Sequence, residues 1–289
     1  MPIIEPVIRP PAEAESFLLQ ITCGCSSNHC TFCGAYLNKP FRVKAENEIV
    51  KDIRQGVMLY PHTRKVFLID GDALVLGNKM LIPLLDQINS SFPKLKRISS
   101  YANGYNIINR SAVELKELFS RKLNLIYIGL ESGNQQILDQ CNKKSTVEQM
   151  ILAVRNAADA GIKSSVIVLL GLGGKKFAKA HVEETIIALN KMQPRFLSFL
   201  SLILIPGTAL YDQEKQGGFE QLNSWELLEQ TSDILSGLEL EQTIFRTNHA
   251  SNYLPLEGRL PQDKDYLLTI LKQALAGKIN LRPEIFRGL

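Results

Sequence analysis

The residues best suited to chemistry are cysteines in one short stretch near the start of the chain, TCGCSSNHCTFC, residues 22–33. The last three of the four follow the pattern Cys-x4-Cys-x2-Cys and are Cys25, Cys30 and Cys33. A [4Fe–4S] cluster is normally held by four cysteine thiolates, one on each iron. Three thiolates could therefore hold such a cluster and leave one iron open to another ligand. Cys23 or His29 could instead complete a zinc site, and a disulfide is a third possibility. The spacing alone does not choose among them.

The composition predicts a globular cytoplasmic protein. Of 289 residues, 45% are apolar and the formal net charge is +4, which allows a proper core. There is no concentrated basic stripe, and Lys143-Lys144 is interpreted as solvated loop charge, so nucleic acid is not an expected partner. No signal peptide begins the sequence, and no run of about 18 apolar residues predicts a membrane span. Cytoplasmic thiols are kept reduced, which argues against the disulfide.

Alternating strand and helix patterns predict the elements that position these cysteines. Six apolar runs predict strands at 17–22, 66–70, 97–101, 125–130, 164–170 and 196–204. Near-continuous apolar runs are typical of parallel strands buried on both faces, and amphipathic stretches such as AENEIVKDIRQGVM predict helices between them. No Rossmann phosphate fingerprint follows the first strand, so a barrel is favoured over an open sheet. The fold class is therefore α/β, a partial (β/α)6 TIM-like barrel of parallel strands.

The pattern changes after the sixth strand. SWELLEQTSDILSGL and PQDKDYLLTILKQALAG predict helices, and the polar stretch RTNHASNYLPLEG separates them. We therefore divide the chain into an N-terminal extension, the barrel and a short C-terminal helical extension that closes it. Their bounds are 1–16, 17–211 and 212–289.

Polar and glycine-rich loops follow each predicted strand. After the cysteine loop come DGDAL (70–74), YANGY (101–105), ESGN (131–134), GLGG (171–174) and PGT (206–208). In a parallel barrel the carboxyl ends of the strands meet on one face, where sites are built. Six such loops on one face predict a pocket.

This ordered set of motifs resembles the radical SAM superfamily from about residue 17 to 211. The cysteine stretch is similar to the superfamily's threonine–arginine–glycine–cysteine opening, which two further cysteines follow with an aromatic residue before the last. The usual spacing is Cys-x3-Cys-x2-Cys, so this chain has one residue more, and Cys23 stands where arginine is common. We take Cys25 rather than Cys23 as the first ligand, because Thr22 and Gly24 then stay aligned. GDAL, VIVLLGLGG and LILIPGTALY resemble later motifs.

The resemblance implies two cofactors, an oxygen-sensitive [4Fe–4S] cluster and S-adenosylmethionine. Cys25, Cys30 and Cys33 would hold the cluster. An electron from a reductant such as flavodoxin or ferredoxin would cleave S-adenosylmethionine to a 5′-deoxyadenosyl radical, which abstracts hydrogen from a small-molecule substrate. The residues implied to bind the cofactor are Phe32, Gly71, Asp72, Glu131, Ser132, Gly171 and Gly173.

Candidate substrate contacts come from two loops. Tyr101 and Asn103 follow the third strand, while His249 and Asn252 lie in the polar stretch RTNHASNYL, where His249 could donate a proton. Two other functions stay open. One is a radical SAM enzyme that modifies RNA, and the other is a non-catalytic protein that binds zinc or an iron–sulfur cluster.

Overall fold

The computed structural model describes residues 3–288, which form an α/β fold with a mostly parallel central sheet. The ten strands are β1 (Phe17–Gln20), β2 (Thr22–Cys23), β3 (Arg42–Val43), β4 (Lys65–Ile69), β5 (Arg97–Tyr101), β6 (Leu123–Glu131), β7 (Lys163–Leu170), β8 (Phe196–Ser201), β9 (Thr243–Arg246) and β10 (Glu257–Leu260). The main sheet has the order β1-β4-β5-β6-β7-β8-β9-β10, and β2 pairs only with β3. Within residues 3–288 the main sheet does not close into a barrel, since β1 and β10 end this order.

In the part of the chain that the structure describes, ten α-helices connect or flank these strands. They are α1 (Glu46–Leu59), α2 (Asn78–Ser91), α3 (Gly104–Ile108), α4 (Ala112–Ser120), α5 (Gln135–Gln140), α6 (Val147–Asp159), α7 (Ala178–Met192), α8 (Ala209–Lys215), α9 (Ser224–Gly237) and α10 (Lys264–Leu275). None of these described helices is long and apolar enough to cross a membrane.

The chain divides into two compact units. Among the described residues, the first unit comprises 3–29, 33–128 and 156–164. The second unit comprises 30–32, 129–155 and 165–288. The bounds predicted for the barrel and its extensions are a different division and stay a prediction.

The first unit is built on the parallel strands β1, β4 and β5. The apolar run of β4 is buried almost throughout, as expected for a strand covered on both faces. Its Phe67 ring lies 5.3 Å from that of Tyr101 and 5.8 Å from that of Tyr127, both edge to face. On α1, Gly56 allows close approach, because a Cβ there would lie 2.3 Å from the ring of Phe17.

The second unit contains β7 from Ser165 onward and the parallel strands β8 and β9, with β10 antiparallel to β9. Phe199 and Phe245 pack edge to face at 5.0 Å between ring centroids. The C-terminal extension therefore carries two strands besides the predicted helices α9 and α10, and these strands were not predicted from the sequence. Each of these strands has only four residues, so its alternation is too short to stand out in a polar segment.

The six predicted strands are confirmed, with bounds that differ by at most three residues. The largest difference is at the end of β8, where pairing with β7 stops at Ser201 opposite Leu170. The next residue along β7 is Gly171, whose φ of +80° turns the chain out of the strand.

Candidate cofactor site

The cysteine loop, residues 24–39, begins and ends in the first unit, where it lies between the short strands β2 and β3. Thr22 pairs with Val43, which brings the two ends of the loop together. Gly24 has a φ of +71°, and a Cβ there would lie 2.6 Å from the Lys39 carbonyl oxygen. A Cβ at Gly71 would lie 2.7 Å from the Cys25 sulfur. The Cys25 thiol thus lies against the turn that follows β4, and glycine is required at both contacts.

The five cysteines fall into two groups by burial. The candidate ligands Cys25, Cys30 and Cys33 are half-buried and form no disulfide. Cys23 and Cys141 are buried, with 2% and 3% exposure. Burial raises the pKa of the Cys23 thiol and raises that of Cys141 to about 11, which disfavours the thiolate that a metal needs. Burial therefore supports Cys25 over Cys23 as a ligand.

The segment that carries Cys30 belongs to the second unit. The Thr31 N–H donates to the Cys141 carbonyl at 3.0 Å, and the Leu210 N–H donates to the Thr31 carbonyl at 2.9 Å. Phe32 packs against an apolar cluster that includes Leu172. Both backbone polar groups of Thr31 are therefore bonded, and they fix the position of the adjacent Cys30. Within residues 3–288, no three His, Cys, Asp or Glu side chains form a group that could hold a single metal ion.

Asp72 is a buried carboxylate of the first unit whose two oxygens differ in their hydrogen bonds. It is fully buried, and its Oδ2 accepts hydrogen bonds from Ser26 Oγ at 3.1 Å, Asn103 Nδ2 at 2.8 Å and Asn106 Nδ2. Its Oδ1 is buried with no hydrogen-bond partner in the described structure. Burial raises the pKa of Asp72, and hydrogen bonds from the side chains of Asn103, Ser26 and Asn106 and from the Asn103 backbone oppose that rise. An unpartnered buried carboxylate oxygen is costly, so Oδ1 is an acceptor suited to an incoming donor.

Arg110 holds the two segments that converge on Asp72. Its guanidinium donates to the carbonyls of Leu74 and Leu76 after β4, and to the Asn106 carbonyl on α3. Its Nε also donates to Asn78 Oδ1 at 3.0 Å. Our sequence reasoning missed Arg110 and Asn106. The amides at 103 and 106 are three residues apart, a spacing that puts them on one helical face and could have found Asn106.

The two residues of the first unit predicted to contact substrate, Tyr101 and Asn103, have different surroundings in the structure. Asn103 binds Asp72, so its amide supports the carboxylate. The Tyr101 ring lies instead in the aromatic cluster of Phe67 and Tyr127. Burial raises the pKa of the Tyr101 hydroxyl, which keeps it protonated.

Glu131 is the last residue of β6 and has a φ of +65°, which is uncommon for a non-glycine residue. Its Oε1 accepts a hydrogen bond from Lys143 Nζ at 2.8 Å. Gly129 is required beneath this pair, because a Cβ there would lie 1.9 Å from Glu131 Oε1. Lys143 is therefore not the solvated loop charge that the sequence predicts, since its side chain is only 10% exposed.

Ser132 is fully buried and holds the ESGN loop together. Its Oγ accepts from the Asn134 N–H at 3.1 Å and lies 2.9 Å from His181 Nδ1. The Gly133 N–H donates to Thr185 Oγ1 at 2.9 Å. The loop is thus fastened to α7 by His181 and Thr185, which lie one turn apart and which sequence reasoning missed.

Gly171 and Gly173 form a closely packed turn after β7. The Gly171 N–H donates to Gln230 Oε1 at 2.7 Å. A Cβ at Gly173 would lie 2.9 Å from Ile137 Cδ1. The φ of +80° at Gly171 favours glycine, whereas a Cβ at Gly173 would meet the end of a flexible side chain.

Asn252 is buried within the second unit, with all its polar atoms engaged. Its Nδ2 donates to the carbonyls of Phe199 at 2.7 Å and Thr247 at 2.9 Å, and its Oδ1 accepts from Ser201 Oγ at 2.9 Å. These bonds make Asn252 a support for the polar loop.

His249 is half-buried in the same loop. The Ser251 N–H donates to His249 Nδ1 at 3.1 Å, so the proton of the neutral ring lies on Nε2. Burial, and next the charge of Arg282, lower the pKa of His249. The neutral imidazole can therefore offer its Nε2–H as a hydrogen-bond donor.

Comparison with known proteins identifies the class. The model of the radical SAM superfamily matches residues 19–187, more than half of the chain. The chain therefore belongs to the radical SAM superfamily.

Individual relatives are distant. The heme chaperone HemW of Bacillus subtilis strain 168 is 23% identical over 158 residues, which cover 54% of this chain and 41% of HemW. The structure of methylornithine synthase PylB aligns with 92% of this chain and 83% of its own, with a TM-score of 0.53 and 14% identity.

A third relative was solved with a cluster. TsrM, a radical S-adenosylmethionine methyltransferase from Kitasatospora setae with cobalamin and a [4Fe–4S] cluster bound, has a TM-score of 0.54 and 15% identity. The alignment covers 70% of this chain and 37% of TsrM. The chain thus spans less than half of HemW and of TsrM, and the two structures are similar to it in fold.

Proposed function

We propose that this chain is a radical SAM enzyme that holds a [4Fe–4S] cluster through Cys25, Cys30 and Cys33. The bound cluster would supply an electron that cleaves S-adenosylmethionine to a 5′-deoxyadenosyl radical, for hydrogen abstraction from a small-molecule substrate. The observation that carries the proposal is the unpartnered Oδ1 of Asp72, which belongs to the same unit as Cys25 and Cys33.

The donor set fits these groups. Three thiolates leave one iron of a [4Fe–4S] cluster open to a chelating ligand. The amino group of S-adenosylmethionine carries hydrogen-bond donors, and Oδ1 of Asp72 is an acceptor that lacks one. Ser26 follows Cys25 directly and donates to the other oxygen of Asp72, so the carboxylate is tied to the cysteine loop.

The chain's own residues then orient and protect the bound cofactor. Ser26, Asn103 and Asn106 hold Oδ2 of Asp72, which leaves Oδ1 for the amino group. A reductant such as flavodoxin or ferredoxin is a further proposed partner.

A second candidate is a cluster-carrying protein without catalysis. It is favoured by one observation, that HemW is named as a heme chaperone. Both candidates predict a cluster, and only the first predicts turnover of S-adenosylmethionine.

The test is anaerobic reconstitution with iron and sulfide, followed by reduction with S-adenosylmethionine present and assay for 5′-deoxyadenosine. We expect the product from the wild-type chain and none from Cys30→Ser, which should also lose the brown colour of the cluster. Cys141→Ala removes a thiol outside the loop and should keep both. A fully loaded wild-type chain that yields no product would favour the second candidate, and a Cys30→Ser variant that keeps the cluster would contradict the ligand assignment.

A further inference from the structure

A second buried carboxylate, Asp70, lies two residues before Asp72 and makes different contacts. It is fully buried, and its φ of +74° places a non-glycine residue in the left-handed region. Its Oδ2 accepts from Gln20 Nε2 at 2.8 Å and from the Gly24 N–H at 3.0 Å. Lys39 Nζ lies 2.8 Å from Oδ2 and 3.0 Å from Oδ1. Four contacts therefore converge on one side chain.

The partners of Asp70 lie at both ends of the cysteine loop. Gly24 immediately precedes Cys25, and Lys39 follows Cys33 by six residues. The Gly71 N–H also donates to the Gly24 carbonyl at 3.0 Å, so Gly24 is bonded through both of its backbone polar groups to the end of β4. Asp70 thus joins the start of the loop, the end of the loop and a strand of the main sheet.

Lys39 extends this network to the N-terminal segment. Its Nζ donates to the carbonyls of Ile4 at 2.6 Å and Pro6 at 2.8 Å, and its side chain is 4% exposed. All three ammonium hydrogens have acceptors, as a buried lysine requires.

We infer that Asp70 is a positioning residue that fixes both ends of the cysteine loop and so sets the placement of the cluster ligands Cys25 and Cys33. The inference rests on the proposed function for the presence of a cluster. It assigns Asp70 a role separate from that of Asp72, because both oxygens of Asp70 are occupied by protein donors and none is left for a ligand.

The experiment compares Asp70→Asn with Asp52→Asn. Asp52 on α1 forms another buried ion pair in the same unit, with Lys44, and the two side chains are 7% and 2% exposed. In Asp70→Asn, an amide NH₂ would face the donors of Gln20, Gly24 or Lys39 in place of a carboxylate oxygen. Asp52→Asn weakens the ion pair with Lys44, which lies outside residues 24–39. The measurements are melting temperature and loop hydrogen exchange of the apo chains, and cluster release from the reconstituted chains.

The two variants are compared at temperatures equally far below their own melting temperatures. We expect Asp70→Asn to release its cluster at least about tenfold faster than Asp52→Asn, because it loses one bond to a charged group. Residues 24–39 of the apo Asp70→Asn chain should also exchange faster. Equal release rates and equal exchange in the two variants would overturn the inference. A wild-type chain that binds no cluster would overturn the proposed function instead.

If Asp70→Asn does not fold, Gln20→Leu carries the same comparison. It removes one neutral donor to Asp70 and two hydrogen bonds with the Ile4 backbone, and it leaves the ion pair with Lys39. We expect faster cluster release than in Asp52→Asn, and a rate no faster would contradict the inference.

Discussion

At the scale of single residues, the site is defined by buried polar atoms and their partners. The cysteines stand out in the sequence by their type and spacing, and Asp72 was found through the resemblance of GDAL to a superfamily motif. Arg110, Lys143 and His181 are not recognisable from the sequence, because each gains its role from a contact with another element. A sequence pattern reports neighbours along one helix or strand, whereas these contacts form only when the elements pack.

Asp72→Asn tests the proposed bond to the amino group of S-adenosylmethionine. The variant keeps the shape but loses the charge, and its amide Nδ2 would take the place of the free acceptor. We expect affinity for S-adenosylmethionine to fall by about 10- to 100-fold, the effect of losing a bond to a charged group. Anaerobic equilibrium dialysis of the reconstituted chain measures it, with Asp139→Asn, an exposed position, as the control. Unchanged affinity at full iron content would contradict the assignment.

His181 makes stability depend on pH. Burial lowers its pKa to about 4, from an ordinary value of 6.5. The unfolded chain therefore binds the proton more readily, and stability is full above pH 6.5 and falls as the pH drops toward 4. The loss should reach about 3 kcal/mol at most.

Urea unfolding of the apo chain between pH 7 and 4 measures this loss. His181→Asn keeps a polar atom near Ser132 and should flatten the dependence, while His62→Asn, at an exposed position, should not. A wild-type chain whose pH dependence matches that of His181→Asn would contradict a neutral buried His181.

At the scale of elements, the parallel strands were predictable and the short ones were not. Runs such as VFLI in β4 are continuously apolar because both faces of the strand are buried, and this signal needs no tertiary information. The hairpin of β2 and β3 has two residues per strand, which is too few for any period. Its stability depends on the loop it closes.

The contact between the ESGN loop and α7 gives a prediction at this scale. A Cβ at Gly133 would lie 2.2 Å from the Glu184 carbonyl oxygen and 2.4 Å from Thr185 Cα. These are backbone atoms of a helix, so they cannot move aside as a side chain can. Gly133→Ala should lower the free energy of unfolding by about 1–3 kcal/mol or more.

Denaturant unfolding checks this prediction. Gly77→Ala is the matched control, because a Cβ there would meet nothing within 4 Å and the φ of Gly77 is −63°. Equal stability of the two variants would argue against the tight contact with α7.

At the scale of the whole molecule, superfamily membership is established and the substrate is the part that the sequence leaves open. The motifs along residues 17–211 are those that would bind a shared cofactor, so they indicate the superfamily. Substrate-binding residues are specific to each member, and of the four candidates Asn103 and Asn252 have bonds within the protein. His249 presents an imidazole N–H and remains the candidate for substrate contact. A basic rim and tight retention of RNA would favour the RNA-modifying alternative.

The central claim is that three thiolates hold a cluster with one iron open to S-adenosylmethionine. The most direct measurement is the EPR spectrum of the reduced, anaerobically reconstituted chain, recorded with and without S-adenosylmethionine. We predict a four-iron signal whose shape changes when S-adenosylmethionine is added, because the ligand binds the open iron. A spectrum that does not change, or a purified chain that contains zinc in place of iron, would contradict the account.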